Sequence, residues 1–306
     1  MDASVGASTR VAVAGLGNMG LPIAERILDA GFPLAVFNRT ADKATPLVER
    51  GAQLLASSAD ALREAEICLT VLADDEALES VALGDAGVLA GARPETTLVD
   101  MSTVSVAVSE RVAEAAAEAR VGYLRVPVSG NPTVVRGGTL TMMVSGPEDL
   151  AAAVDRLLRA IGPTVLYVGD GEAARAVKLV LQVLIGGTAE LLGEALALGE
   201  AAGVGREKLL EVIGASVVGS RFVEYKAEPL LRDDYSATFT TSLMLKDVGL
   251  VLDLAADNGV DLPFAERLST LLESAVERGY GDQDFIALFR QLREASTRQP
   301  TTIRDR

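Results

Sequence analysis

Short apolar runs alternate with helical spacing through the first half of the chain. Arg10–Ala14 leads into a glycine-rich turn and a helix near 18–30, and Leu34–Phe37 into a helix near 41–50. Ile67–Leu72 and Thr97–Asp100 read as further strands with helices after them. Tyr123–Val126, Leu140–Val144 and Val165–Val168 complete the set. Strands that alternate with helices of about a dozen residues predict βαβ units and a mostly parallel sheet. Near Gly169 the pattern changes. From Glu172 to about Ala202 one helical run places Ala173, Val177, Val180, Leu184, Thr188, Leu191, Ala195 and Leu198 at steps that mark one face. No strand pattern follows, and helix stops fall near Gly203–Gly205, Pro229 and Pro263. The expected fold class is an α/β domain over 1–169 and an all-α domain over 170–306, with a polar, frayed tail after Ser296.

Composition narrows the chemistry. Of 306 residues 49% are hydrophobic but only 4% aromatic, so the core is expected to be built from Ala, Val, Leu and Ile. A formal charge of −15 argues against a nucleic-acid partner, because phosphate binding needs a basic surface. Cys68 is the single cysteine, which rules out an intrachain disulfide and a cysteine metal site. The chain has no histidine, so Ser–His and Cys–His catalysis and histidine-ligated zinc are excluded, and no metal site is expected. Proton transfer must fall to Lys, Asp, Glu, Tyr or water. The apolar stretch near 176–198 is broken by Lys178, Gln182, Glu190 and Glu194, so it reads as an interior helix and not a membrane span. Met1–Arg10 lacks the apolar core of a signal peptide, and a cytoplasmic location is the expectation.

The first strand runs into Gly15-Leu16-Gly17-Asn18-Met19-Gly20 and then a helix. In that context Gly15 permits the tight turn, Gly17 admits a pyrophosphate to the backbone, and Gly20 allows close helix–strand packing. The helix N-terminus then faces the phosphates. This is a Rossmann-type dinucleotide loop. At the end of the second strand stand Asn38-Arg39-Thr40, with Lys43 one turn on, where NAD sites usually carry Asp or Glu. Arg39 and Lys43 would attract a 2′-phosphate and Thr40 would donate to it, which favours NADP(H) over NAD(H). The other reading of this segment is an ordinary polar turn that caps the next helix.

Further along come Asp100-Met101-Ser102-Thr103, then Pro127-Val128-Ser129-Gly130 with Gly138-Thr139-Leu140, then Gly169–Lys178, and last Phe239 with Lys246-Asp247. With the glycine loop, these blocks in this order resemble the β-hydroxyacid dehydrogenases, the group of 3-hydroxyisobutyrate dehydrogenase, tartronate semialdehyde reductase and glyoxylate reductase. The resemblance covers nearly the whole chain. It implies that Lys178 is the general acid in reduction and the general base in oxidation. An ordinary lysine pKa near 10.4 suits donation, and desolvation would bring it closer to working pH. It also implies that Thr103 lies near the nicotinamide and Ser102 near the substrate, although either could instead cap the helix expected at 104–119. Ser129 and Gly130 would hold the substrate carboxylate. Lys246 would sit at the nicotinamide end and Asp247 would support the lysine or the substrate.

The chain departs from the family pattern beside the substrate region. Asn131-Pro132 stands where a third glycine is usual, and Arg125-Val126 replaces an acidic–small pair. After the lysine, Leu181 and Gln182 occupy places where asparagines are frequent, and Gln182 keeps an amide for the substrate. The approach to Lys178 keeps Gly169 and Gly171 but continues Ala173-Ala174-Arg175.

The reaction implied is reversible hydride transfer between NADP(H) and a short 3-hydroxy acid or its semialdehyde, in a cleft that closes between the domains. Leu72, Ala73, Thr103 and Lys246 would set the nicotinamide, with Gln182 on the hydroxyl side. The partner is a small molecule, with no nucleic acid and no membrane, and the Ala- and Gly-rich long helix suggests a homodimer. Two other readings stay open: an imine reductase on the same plan, which usually carries Asp or Tyr in place of the lysine, and a non-catalytic dinucleotide-binding module.

Overall fold

A computed structural model describes residue 6 and residues 8–297. Most of the tail expected after Ser296 lies outside the described residues. The chain divides into two compact units between Lys178 and Leu179.

The first unit is built on a nine-stranded sheet: β1 (Val11–Ala14), β2 (Leu34–Phe37), β3 (Gln53–Leu54), β4 (Ile67–Thr70), β5 (Thr97–Asp100), β6 (Gly122–Arg125), β7 (Val128–Ser129), β8 (Thr141–Ser145) and β9 (Thr164–Gly169). The strand order is β3-β2-β1-β4-β5-β6-β8-β7, with β9 also on β8. The pairs among the first six strands are parallel, while β8 runs antiparallel to β6 and β7. Alternate residues of a strand enter opposite layers. Val11 and Val13 join one core with Ile23, Ile27 and Leu157, and Ala12 and Ala14 join the other with Leu62, Val108 and Val112. Burial on both faces is why these strands read as continuous apolar runs. The flanking helices are α1 (Gly20–Asp29), α2 (Thr45–Val48), α3 (Ala61–Glu64), α4 (Asp75–Leu78), α5 (Val106–Glu118), α6 (Pro132–Arg136) and α7 (Glu148–Ile161).

α8 (Ala173–Ala201) crosses the division and opens the helical second unit. The unit continues with α9 (Arg206–Ala215), α10 (Arg221–Leu231), α11 (Thr241–Asp257), α12 (Pro263–Ala275) and α13 (Ala287–Thr297). Its cores gather Met244, Val248, Leu268, Leu272 and Phe285, and separately Leu192, Leu196, Leu210, Val223 and Phe289. The buried Lys226 ammonium, 2.7 Å from both oxygens of Asp284, ties α10 to the start of α13.

Three expectations need correction. The steps at Val180, Leu184, Leu191 and Leu198 do not mark the covered face of α8: these residues are 59%, 61%, 57% and 74% exposed. The covered face carries Ala174, Arg175, Lys178, Leu179, Gln182, Ala189 and Glu190. By length and composition α8 is apolar enough to cross a membrane, yet Arg175, Lys178, Gln182 and Glu190 are turned inward beside Leu179, Leu192 and Leu196. Pro263 is not a stop but the first residue of α12. The stop near Pro229 holds: the residue lies inside α10, which ends at Leu231. Proline this late forfeits only one bond of the final turn. Finally, the helix expected at 41–50 is a 3-10 turn (Ala41–Ala44) followed by the four-residue α2.

Candidate active site

The glycine cradle is formed by packing as much as by conformation. β1 ends at Ala14, and the chain turns at Gly15 with φ +102°, a conformation that side chains disfavour. A Cβ at Gly15 would lie 2.4 Å from the Val71 carbonyl oxygen and 2.9 Å from the Leu72 side chain. At Gly20 it would lie 1.9 Å from the Gly15 carbonyl oxygen. Gly17 is different: no atom stands within 4 Å of that position, so its side of the loop is open. Asn18 is exposed, and Met19 precedes α1 without a side-chain cap. An open floor beside a helix N-terminus suits the pyrophosphate of a dinucleotide.

The segment after β2 divides its tasks. Asn38 Oδ1 accepts from the Leu16 N–H at 2.8 Å, and Asn38 Nδ2 donates to the Thr40 carbonyl at 2.8 Å. Asn38 thus braces the glycine loop. Arg39, Thr40 and Lys43 are exposed around it, and Thr40 makes no side-chain cap bond to the turn that follows.

Next to the cradle, the ends of β4 and β5 are tied together. Asp100 is fully buried and accepts from Thr70 Oγ1 at 2.6 Å and from Ser102 Oγ at 2.7 Å. Ser102 Oγ in turn accepts from the Leu72 N–H at 3.0 Å. The one hydroxyl proton of Ser102 is therefore spent on Asp100. Neither Ser102 nor Thr103 caps α5. Ser105 does, accepting from the Val108 N–H at 3.1 Å. Thr103 is half-buried and Ala73 exposed at this edge.

Ser129 closes β7 opposite Thr141. At Gly130, φ +151°, a Cβ would press on Val134 and Leu140 at 2.8 and 2.9 Å. Asn131 caps α6, its Oδ1 accepting from the Val134 N–H at 3.0 Å. The unusual Asn-Pro pair is thus a helix start, with the asparagine as cap and the proline in the first turn.

Lys178 is 9% exposed on α8. Gln182, one turn on, is buried and its Nε2 donates to Asp247 Oδ2 on α11. Lys246 Nζ stands 2.8 Å from the other Asp247 oxygen, as an ion pair without hydrogen-bond alignment. Within the second unit the structure thus unites Gln182, Lys246 and Asp247.

Sequence reasoning missed Arg175. Its guanidinium is 1% exposed and pairs with Asp100, while Arg125 pairs with Glu172 at the head of α8. Burial disfavours the Arg175 charge, but Asp100 beside it outweighs that and lifts its pKa above the ordinary arginine value. The available signal was two arginines at places where the family pattern has none.

Known proteins share these features. Residues 10–169 match the NAD binding domain of 6-phosphogluconate dehydrogenase, and residues 172–292 match the NAD-binding domain of NADP-dependent 3-hydroxyisobutyrate dehydrogenase. The chain is 32% identical to 2-(hydroxymethyl)glutarate dehydrogenase of Eubacterium barkeri, over 92% of this chain and 94% of that protein. It is 31% identical to human mitochondrial 3-hydroxyisobutyrate dehydrogenase, over 96% and 90%. The crystal structure of 3-hydroxyisobutyrate dehydrogenase from Salmonella typhimurium superposes with a TM-score of 0.85 at 26% identity, covering 93% of this chain and all of that one. The cradle, the parallel sheet and the helical unit are therefore those of an NAD(P)-dependent oxidoreductase, and the chain belongs to the β-hydroxyacid dehydrogenase family.

Proposed function

We propose that the protein is an NADP(H)-preferring dehydrogenase that interconverts a short 3-hydroxy acid and its semialdehyde, with Lys178 moving the proton. The observation that carries this reading is the covered face of α8. Lys178 is only 9% exposed there, and the next turn bears the buried amide of Gln182, fixed by Asp247, so an ammonium and an oriented amide stand one turn apart on one enclosed face.

Gly15, Leu16, Gly17, Asn18, Met19 and Gly20 would hold the pyrophosphate, and Arg39, Thr40 and Lys43 a 2′-phosphate. The dinucleotide supplies or accepts the hydride. Hydride arriving at a carbonyl carbon leaves charge on its oxygen, and the Lys178 ammonium would stabilise that charge and give it a proton. In oxidation the neutral amine takes the proton from the hydroxyl. Gln182 would orient the same oxygen, and Ser129 with Gly130 would hold the carboxylate. The relatives named for 3-hydroxyisobutyrate and 2-(hydroxymethyl)glutarate support this substrate class.

The test is NADP⁺ reduction across a panel of short 3-hydroxy acids, with Lys178→Ala as control. Turnover that vanishes in the variant while cofactor binding persists supports the reading. Tight NADPH binding without turnover of any acid overturns it in favour of an imine substrate, or of a non-catalytic role.

The reading includes a homodimer. Val180, Leu184, Leu191 and Leu198 form an exposed apolar face on one helix, and such a face on a soluble protein marks a contact surface. Elution at monomer mass would remove this part of the proposal.

A further inference from the structure

Arg175 lies three residues before Lys178 and makes bonds that go beyond an ion pair. Its Nη1 donates to the Ser102 carbonyl at 2.6 Å, its Nη2 to Asp100 and to Tyr123 Oη, and its Nε to Ser109 Oγ at 3.1 Å. Asp100 holds Thr70 and the Ser102 hydroxyl, and that hydroxyl holds the Leu72 N–H. The chain of bonds therefore runs from the first turn of α8 through the end of β5 to the end of β4. It ends on the residues that open the two loops following those strands. In a doubly wound sheet the dinucleotide crosses the carboxyl edge where the strand order reverses, here between β1 and β4. The half near β1 and β2 is braced by Asn38. The half near β4 and β5 is braced by Arg175.

We infer that Arg175 is a positioning residue: through Ser102 and Asp100 it sets the loops that receive the nicotinamide half of the dinucleotide, relative to the helix that carries Lys178. This rests on the dehydrogenase reading above. A planar fork is required, because one side chain must meet a carboxylate, a carbonyl and two hydroxyls at once. Lysine offers the same charge from a single atom.

The experiment compares two probes on the full chain: NADPH, read by its nicotinamide fluorescence, and 2′-phospho-ADP-ribose, which lacks only the nicotinamide. In Arg175→Lys, NADPH binding is expected to weaken about tenfold, a change of about 1.4 kcal/mol, and the fluorescence change to shrink. The affinity for 2′-phospho-ADP-ribose should stay within about twofold. Ser102→Ala keeps the Arg175–Asp100 ion pair and removes the hydroxyl's bonds to Asp100 and to the Leu72 N–H, so it should show the same split. If Arg175→Lys does not fold, Ser102→Ala and the neutral double variant Arg175→Met with Asp100→Asn carry the test. Equal weakening of both probes, or of neither, overturns the inference and shows Arg175 as a structural residue only. A wild-type chain that binds neither NADPH nor NADH overturns the dehydrogenase reading itself, a result visible before any variant is made.

Discussion

Gly20 packs directly on the carbonyl of Gly15: a Cβ there would stand 1.9 Å from the oxygen, far inside any non-bonded contact. Gly17, between them, faces open space. The two glycines therefore fail in different ways. Gly20→Ala must displace backbone at the start of α1, and is expected to cost upwards of about 3 kcal/mol, out of a total of about 5–15 for an ordinary domain. Gly17→Ala should leave the denaturation midpoint unchanged and still weaken dinucleotide binding by about tenfold or more, because the new methyl occupies the phosphate's approach. Urea titrations paired with NADPH titrations of both variants separate the two. A stable Gly20→Ala protein, or a Gly17→Ala protein that binds normally, would contradict this assignment.

Arg39 and Lys43 are exposed and lie at the end of β2 beside Asn38. Removing them costs the fold almost nothing, so any change in affinity reports on the ligand. Each charge-assisted bond to a phosphate contributes about 1.5–3 kcal/mol, which is about 10–100-fold. Arg39→Ser with Lys43→Ala is expected to weaken NADPH by at least that factor and to leave NADH within about twofold. The difference should shrink as salt rises. Equal loss for both nucleotides would remove the basis for NADP(H) preference.

The parts of this architecture that were legible in the sequence are the local ones. The cradle is a contiguous stretch whose spacing follows from one turn and one helix start, and the strands buried on both faces announce themselves as apolar runs. β3, two exposed residues long, carries no such signal. The orientation of α8 was not legible either. Periodicity identifies an apolar face, but not whether the same chain covers it, and here the leucine face is open while Arg175, Lys178 and Gln182 are enclosed. The polar pairings are beyond local reasoning for a related cause. Gln182 and Asp247 stand 65 residues apart, and Arg175 and Asp100 stand 75 apart. Each residue taken alone has a reasonable existence on the surface.

The second arginine departure makes a thermodynamic prediction. Arg125 Nε donates to Glu172 Oε1 at 2.7 Å, and the guanidinium stacks on the Tyr123 ring at 4.4 Å from its centre. Both side chains are nearly enclosed, at 9% and 14% exposure. Removal of Glu172 leaves the Arg125 charge enclosed without its carboxylate, at a cost of about 3–5 kcal/mol, whereas removal of Arg125 leaves Glu172 with the Arg175 guanidinium 3.8 Å away, and replacing both by apolar groups can be close to neutral. Glu172→Met should therefore be strongly destabilised and Arg125→Met less so. The double variant should recover to within about 2 kcal/mol of wild type. Additive losses would mean that the pair is not coupled.

Glu190 gives the pH dependence its sign. It is 3% exposed on α8, and neither carboxylate oxygen has a hydrogen-bond partner. Burial, with help from Glu194 and against Arg267, pushes its pKa from 4.5 up to about 7. The folded chain thus keeps a proton that the unfolded chain has released. Between those two values the native state binds more protons, so stability falls as pH rises from about 4.5 to about 7 and levels off above. The drop is about 3.4 kcal/mol at most, from 1.36 kcal/mol per pKa unit. No imidazole titration overlies this window, because the chain has no histidine. Glu190→Gln keeps the shape and cannot ionise. It should flatten the profile from pH 5 to pH 7 and be more stable than wild type at pH 8, by urea unfolding at each pH. If wild type gains stability from pH 5 to pH 7, or if the glutamine variant retains the wild-type slope, the carboxyl of Glu190 is not the group responsible.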